Sequence, residues 1–349
     1  MKKIVVGFIA FLFILVGAFF TLFTFETSAV SRDTTPIEFD IKVGETYLTI
    51  ANRLKEENLI KSELFYKLFI RLTKSDKLEA GKYELSESMS VSDIVKVFMK
   101  GNTYNNETVS FTIPEGKHLE NIAQIISGVT NYTEKELLSS WNDKEFINQV
   151  IDKYWFVTDS IKATGIRYAL EGYLYPDTYE IYTNSSIEEI AYKMLDKMDK
   201  VLTNYKIDIE KSEYNIHEIL TMASIIEHEA ILDEDRKVIA SVFYNRLEDN
   251  MKLQSCATIG YAIDEWKLTY SSADLKVDSP YNTYYYSGLP VGPGNMPSVK
   301  SIEAALYPSE TDYLYFLANV CDTSDKKTYF SKTYDEHVDK KNRYLTCVN

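Results

Sequence analysis

The sequence predicts a mixed α+β protein with an apolar N-terminal helix, a small α+β unit and a larger mixed α+β domain. Three observations support this prediction. A long apolar run opens the chain, a strand–glycine–helix pattern occurs twice after it, and helical and alternating segments are interspersed further on. The roughly 320 residues after the apolar run exceed what one small core holds, so at least two domains are expected.

The first element is the apolar run Ile4–Phe25, which follows Lys2 and Lys3. At about 1.5 Å per residue it spans about 33 Å, which is enough to cross the core of a bilayer. The lysines predict a cytoplasmic N-terminus, a single-pass anchor within residues 1–30 and an extracytoplasmic remainder. The alternative is a cleaved signal peptide, whose apolar core is usually shorter, about 7–15 residues.

The small α+β unit is predicted over residues 36–108. Its first segment, 39–54, alternates as a short strand up to Gly44 and then continues with the helical spacing of apolar residues. The remaining predicted elements of this unit are a helix, a strand and a helix, at 62–72, 80–86 and 90–101. The strand–glycine–helix pattern returns at 111–126, so residues 109–165 are predicted as a second repeat followed by a helical connector.

The larger domain is predicted over residues 166–349. In its first segment, LEGYLYPDTYEIY, Pro176-Asp177 predicts a turn between two aromatic arms. This segment is either the wall of a site or a hairpin that packs Tyr173 and Tyr179 into a core. The later predicted elements are helices at 185–202 and 217–230, a short helix from Ser298 or Ser301, a strand within 311–320, and a closing strand and helix.

Composition excludes some functions. The net charge of −14 argues against nucleic acid and against an anionic membrane surface as partners. The 27 tyrosines suit sugar binding, because a ring can stack on the apolar side of a pyranose, but ordinary strand and surface usage is the better explanation for most of them. The three cysteines allow at most one disulfide within the chain, and their pairing stays open.

Two segments begin the zinc motif HExxH, at His217 and His228. The second histidine of the motif is missing in both, because Thr221 and Leu232 stand in its place. No cysteine has the spacing of a metal site, and neither a GxSxG nor a glycine-rich phosphate loop occurs. The sequence therefore predicts no metal centre.

The helix predicted at 217–230 carries two carboxylates, Glu227 and Glu229, at the end of a nearly apolar stretch. A carboxyl in apolar surroundings has a raised pKa and can act as a general acid near neutral pH. Glu229 lies about 200° round the helix axis from Glu227, so the two cannot act as a coupled pair. One is predicted to be catalytic, and the other to cap backbone or to pair with Arg236 or Arg246. A purely structural role for both is the alternative.

Seven motifs follow one another along the chain: EGYLYPDTY, ASIIEHEA, VIASVFYNRL, LQSCATIGYA, DSPYNTYYYSGLPVGP, SIEAALYPSETDYLYF and YFSKTYDEH. With these motifs the chain resembles the endolytic murein transglycosylase (YceG-like) family over nearly the whole segment after the apolar run. The unit at 36–108 is similar to a LysM-like domain of cell-wall enzymes, and a structural spacer is the alternative.

The resemblance implies a lytic transglycosylase domain at 166–349 that acts without a cofactor. Such enzymes cleave peptidoglycan glycan strands between N-acetylmuramic acid and N-acetylglucosamine and leave a 1,6-anhydro-muramyl end. One glutamate acts first as the acid and then as the base, and its position in the family falls on Glu229. Glu227 is then the supporting group or the alternative acid. The cleavage is expected to end the elongation of nascent strands.

By the same match, nine further residues are implied to line the glycan cleft: Ser224, Asn245, Gln254, Ser255, Tyr281, Asn282, Thr283, Asp177 and Tyr179. The chain departs from related patterns at four positions. Ala230 follows Glu229 where a serine or threonine is usual, Cys256 replaces an aspartate, Met296 replaces the asparagine of an NPG-like turn, and Val338 replaces an asparagine. These departures concern details of the site.

The resemblance implies peptidoglycan glycan strands as substrate, and peptidoglycan synthases and other proteins of cell-wall elongation or division as partners. Two alternatives stay open at this point. A non-catalytic peptidoglycan-binding scaffold for the synthesis machinery would bind strands without cleaving them. A glycoside hydrolase that uses Glu229 with Asp177 or Asp278 would introduce oxygen from water into its product.

Overall fold

The computed structural model describes residues 15–75, 77–101, 108–267, 269–319, 321, 327–345 and 347. They divide into two compact units, 1–108 with 182–184 and 109–181 with 185–349. Many short helices and three two-stranded sheets make up the described residues, so the predicted mixed α+β class is confirmed.

Residues 15–26 form a helix, α1, with exposed apolar side chains that include Phe20 and Phe25. The first 14 residues, which contain much of the predicted anchor, lie outside the described part of the chain. Among the helices that are described, none combines the length and the apolar character needed to cross a membrane.

The first unit continues with two strands and three helices: β1 (Ile37–Ile41), α2 (Tyr47–Glu56), α3 (Glu63–Thr73), β2 (Gly81–Leu85) and α4 (Val91–Lys100). The strands pair antiparallel, with Phe39 opposite Tyr83. Phe98 of α4 packs on both rings, at centroid distances of 5.8 and 4.8 Å. Gly44 has a φ of +84°, which explains why the turn before α2 requires a glycine.

The second unit begins with β3 (Thr108–Thr112), which crosses the boundary of the units at its first residue. Seven further elements lead to the centre of the unit: α5 (Leu119–Ser127), α6 (Glu134–Trp141), α7 (Lys144–Lys153), β4 (Thr178–Tyr182), α8 (Ile187–Thr203), α9 (Lys206–Lys211) and α10 (Ile216–Glu229). Six elements follow it: α11 (Arg236–Glu248), α12 (Cys256–Ile263), α13 (Val299–Leu306), β5 (Tyr315–Ala318), β6 (Thr328–Ser331) and α14 (Tyr334–Tyr344).

The segment around Pro176 does not form a hairpin. Only its second arm is a strand, β4, and its partner is the distant β3. The amide of Ile113 donates to the carbonyl of Asp177 at 2.9 Å just beyond this pairing. Tyr173 and Tyr179 are nevertheless buried in the core, at 0% and 5% exposure. The predicted burial of the two tyrosines was therefore correct. The predicted hairpin was wrong, because β4 pairs with β3 and not with the arm before Pro176.

Helix α10 lies at the centre of the second unit. Apart from the half-buried Glu218, every residue from Ile216 to Ile226 is buried, and the helix packs against α11, α12 and α13. A helix surrounded on all sides is apolar on all sides, which explains why its sequence lacks a polar face. The two carboxylates Glu227 and Glu229 lie at its C-terminal end.

A disulfide joins Cys321 and Cys347, with Cα atoms 5.5 Å apart. Cys256 is free and exposed. The structure therefore answers the question of pairing that the sequence left open.

Candidate active site

The last turn of α10 directs its two carboxylates to different neighbours. Glu227 and Glu229 are two residues apart on a regular helix, so they point away from each other. The structure gives them separate sets of hydrogen-bond partners.

Glu227 is an almost fully buried member of an ion pair. Its carboxylate accepts hydrogen bonds from the amide of Ser298 at 2.9 Å and from the hydroxyl of the same residue at 2.6 Å. The guanidinium of Arg236 lies 3.2 Å away, and the two side chains are 7% and 10% exposed. Arg236 also donates to Ser301 and to Asp233, at 2.5 and 3.0 Å. This network joins α10, α11 and α13.

Glu229 is half-buried, and within the described part of the chain no arginine forms a hydrogen bond with it. The hydroxyl of Ser255 donates to its carboxylate at 2.6 Å. Backbone amides of Ala257 and Cys256, at the start of α12, also donate to it. Burial raises the pKa of the Glu229 carboxyl above its ordinary value, and the Ser255 and amide hydrogen bonds oppose that shift. The Glu229 carboxyl thus keeps its proton to higher pH than an exposed glutamate does. Once it ionises, the Ser255 hydroxyl and the two amides stabilise the carboxylate.

A small buried network holds Ser255 in place. Its amide donates to the hydroxyl of Thr283 at 3.1 Å, and the hydroxyls of Thr283 and Thr258 are 2.8 Å apart. The amide of Gln254 donates to the carbonyl of Thr283 at 3.2 Å. Three of the residues implied by the resemblance, Gln254, Ser255 and Thr283, therefore lie together beside Glu229.

Tyr281 and Asn282 shape the loop that carries Thr283. The side chain of Asn282 is 1% exposed, donates to the carbonyl of Val277 at 2.8 Å and accepts from the amide of Tyr284 at 2.9 Å. The hydroxyl of Tyr281 accepts from the amide of Arg167 at 3.2 Å. Both side chains are thus engaged with the protein itself.

Ser224 and Asn245 connect helices to loops. The hydroxyl of Ser224 accepts from the amide of Gly294 at 3.2 Å, and its carbonyl accepts from Asn295 at 2.7 Å. The amide group of Asn245 donates to the carbonyls of Thr311 and Tyr313, both at 2.9 Å. Their implied part in glycan binding stays a prediction.

Asp177 and Tyr179 have their contacts around β4. Asp177 pairs with Lys197 at 2.5 Å, and this lysine holds the pKa of the aspartate below its ordinary value. The hydroxyl of Tyr179 donates to the carbonyl of Tyr175, and its ring packs 5.6 Å from Phe111. Their assignment to the glycan cleft also stays a prediction.

An aromatic cluster beside Glu229 was not singled out from the sequence. Trp266 stacks on His228, with ring centroids 4.4 Å apart, and on His118, at 5.1 Å. His228 directly precedes Glu229, while His118 comes from the start of α5. A tryptophan within a polar segment is a signal that could have drawn attention to this cluster.

Glu171 is a second buried carboxyl, away from Glu229. It is 2% exposed and accepts hydrogen bonds from the amide of Leu119 at 2.9 Å and from the hydroxyl of Tyr261 at 3.1 Å. Burial raises the pKa of its carboxyl to about 8, against the opposing effects of these two hydrogen bonds. Glu171 therefore links α5 to α12 mainly as a neutral group at pH 7.

The raised pKa of Glu171 predicts a pH-dependent stability. Between its ordinary value of 4.5 and about 8, the folded state keeps a proton that the unfolded state releases. Stability from this group is thus fully present below pH 4.5 and is lost as the pH rises to about 8. Glu171→Gln mimics the neutral acid, so we expect urea unfolding to show it about 2–4 kcal/mol more stable relative to wild type at pH 8 than at pH 5. An equal difference at both pH values would contradict this prediction.

Comparisons with known proteins give one consistent result. A model of the YceG-like family matches residues 39–343. A protein of Bacillus subtilis (strain 168) named endolytic murein transglycosylase is 36% identical over 323 residues, which are 92% of this chain and 88% of that protein. A protein of the same name from Streptococcus pneumoniae serotype 2 (strain D39 / NCTC 7466) is 35% identical over 355 residues, 96% of this chain and 64% of that protein.

The fold is also similar to a solved structure. A crystal structure of a yceG-like protein from Listeria monocytogenes matches with a TM-score of 0.63 and 39% sequence identity. The match covers 88% of this chain and 100% of that chain.

Proposed function

The chain belongs to the YceG-like family, and from that membership we propose that it is an endolytic murein transglycosylase. In this proposal it cleaves the bond between N-acetylmuramic acid and N-acetylglucosamine within peptidoglycan strands and leaves 1,6-anhydro-muramyl ends. The relatives that carry this name match most of the chain. The resemblance of the motifs to the family is therefore confirmed.

The observation that carries the mechanism is the environment of Glu229. It is half-buried, its pKa is raised by burial, and Ser255 donates to it at 2.6 Å. Glu227 lies on another side of the helix, where it forms an ion pair with Arg236 and accepts a hydrogen bond from Ser298. The site thus supplies one carboxyl that can give and take a proton, instead of the paired carboxylates of most glycosidases.

One carboxyl is enough if the second nucleophile comes from the substrate. Protonated Glu229 gives its proton to the glycosidic oxygen while the bond from the muramyl C1 to that oxygen breaks. The hydroxyl of Ser255 and the amides of α12 stabilise the carboxylate that results. The muramyl C6 hydroxyl then bonds to C1 and gives its proton to Glu229. The acid is restored, and no water is consumed.

The hydrolase alternative needs a second carboxylate close to Glu229. Asp177 is paired with Lys197 near β4. Asp278 accepts a hydrogen bond from the hydroxyl of Tyr286 at 2.7 Å. Since each acid has its own partner, neither contact favours the hydrolase, and no observation favours a scaffold without activity.

Membrane attachment and the role of the first unit are parts of the same proposal. The apolar run Ile4–Phe25 behind two lysines supports a single-pass anchor with a cytoplasmic N-terminus and an extracytoplasmic catalytic unit. The unit within 36–108, with its own core around Phe39, is proposed as a LysM-like module. Peptidoglycan synthases and other proteins of cell-wall elongation or division are the proposed partners of the whole protein. Retention of the full chain in carbonate-washed membranes, and its loss without residues 1–30, tests the anchor.

The nature of the products tests the enzymatic proposal. We expect residues 31–349 incubated with purified peptidoglycan in ¹⁸O-water to release fragments with 1,6-anhydro-muramyl ends that carry no ¹⁸O. Mass spectrometry distinguishes these ends from reducing ends by the loss of one water. Reducing ends that contain ¹⁸O would show hydrolysis, and strands that are bound but never cut would show a scaffold.

A further inference from the structure

Trp266 is an unusually exposed aromatic side chain next to the proposed catalytic acid. It is 47% exposed, although a tryptophan of this kind is normally buried. His228 and His118 stack on it at 4.4 and 5.1 Å, with interplanar angles of 27° and 19°. The two imidazoles are themselves only 5.6 Å apart, so they lie on the same side of the indole. The two imidazoles therefore cover part of the indole, and about half of its surface stays open to solvent.

The position of the indole is built into the fold. A Cβ atom at Gly260 would lie 2.8 Å from the ring, so α12 has a glycine where Trp266 packs against it. His118 is held by a hydrogen bond between its Nδ1 atom and the carbonyl of Gly294. Burial lowers the pKa of both histidines, so the support beneath the indole is neutral at pH 7.

The ring borders a small cavity of about 10 Å³ near the C-terminal end of α10. The lining of this cavity includes His228, Ala257, Tyr261 and Trp266. His228 is adjacent to Glu229 in the chain, and the amide of Ala257 donates to the Glu229 carboxylate. The exposed indole therefore shares its surroundings with two residues that adjoin the acid.

We propose that Trp266, supported by His118 and His228, is a stacking platform for one pyranose of the glycan strand, next to the bond that is cleaved. The inference rests on the proposed function, since it takes the glycan strand as the molecule that lies on the exposed indole. A flat, rigid indole suits the apolar face of a sugar ring, and its N–H can bond to a hydroxyl. An exposed apolar surface that continues into a site is a common sign of ligand binding.

Binding to an inactive protein tests the platform separately from catalysis. In a Glu229→Gln background we expect Trp266→Ala to weaken the binding of peptide-free glycan strands about tenfold. Trp266→Phe keeps a ring in place and should bind within about threefold of its parent. Tyr307→Ala is the matched control, because Tyr307 is also exposed, at 39%, but contacts Asp208 of α9. Its affinity should not change.

A second readout separates a sugar platform from a purely structural residue. With Glu229 present, Trp266→Ala should raise KM about tenfold and change kcat less than threefold. Free stem peptide should bind no more weakly to Trp266→Ala than to its parent. Equal glycan affinity with and without the indole would overturn the platform, as would an equal loss in Trp266→Phe or a loss confined to stem peptide.

The two proposals can fail independently. If the wild-type protein releases no anhydro ends while Trp266→Ala still weakens glycan binding, the platform stands and the enzymatic proposal falls. If the wild-type protein cleaves strands and Trp266→Ala binds and cleaves them equally well, only the platform falls.

Discussion

Glu229→Gln is expected to lower kcat on peptidoglycan by at least about 10³-fold and to change Tm by less than about 2 °C. Glutamine has the shape of the protonated acid and can still accept a hydrogen bond from Ser255, so the fold loses little. It can neither give a proton to the glycosidic oxygen nor take one from the C6 hydroxyl. Release of anhydro-muramyl ends, measured beside Tm, tests both halves of this expectation.

A matched control shows whether the loss belongs to this carboxyl. Glu234 is exposed and lies in the segment just after α10, so Glu234→Gln removes a neighbouring negative charge without touching the site. We expect its activity to stay within about twofold of wild type. Activity of Glu229→Gln equal to that of this control would refute the assignment of the acid, and loss in Glu227→Gln without destabilisation would transfer the assignment to Glu227.

Arg236→Met is expected to destabilise the protein by about 3–5 kcal/mol, the cost of leaving a buried carboxylate without its partner. The two side chains are 10% and 7% exposed, and Glu227 would keep only its hydrogen bonds from Ser298. The network also joins α10 to α11 and α13, so its loss acts on the core of the second unit. Urea unfolding measures the change in free energy.

A double variant and a surface control sharpen this result. Glu227→Gln/Arg236→Met removes both charges, so its loss should be clearly smaller than the sum of the two single losses. Lys332→Met breaks the pair with Asp312, whose side chains are 55% and 69% exposed, and should cost less than about 1 kcal/mol. Additive losses in the double variant would show that the buried pair contributes no coupling.

Local chemistry made much of the fold predictable. The strand–glycine–helix repeats appear at α2 and α5, since Gly44 and Gly116 both have positive φ values that other residues avoid. Ser186 and Ser298 cap the helices that follow them, as their sequence positions indicate. Such signals act over a few residues, so they can be recognised without knowledge of the fold.

Partners distant in the chain were less predictable. The strand after Pro176 pairs with β3 instead of folding back on its own neighbour. Trp266 stacks on His118, which lies almost 150 residues earlier in the chain, and on His228. Nothing in the neighbourhood of either residue in the sequence encodes these contacts, because they depend on how separate elements pack.

The sequence by itself determined the family, the central helix and the divergence of Glu227 from Glu229, because helix geometry depends only on spacing along the chain. It also named Arg236 and Arg246 as candidate partners of the structural carboxylate, beside backbone capping. Only the tertiary structure decided that Glu227 interacts with Arg236 and Ser298, while Glu229 accepts hydrogen bonds from Ser255 and from the start of α12. The reason is physical: a carboxyl acquires its charge state and its role from burial and from neighbours that the fold brings to it.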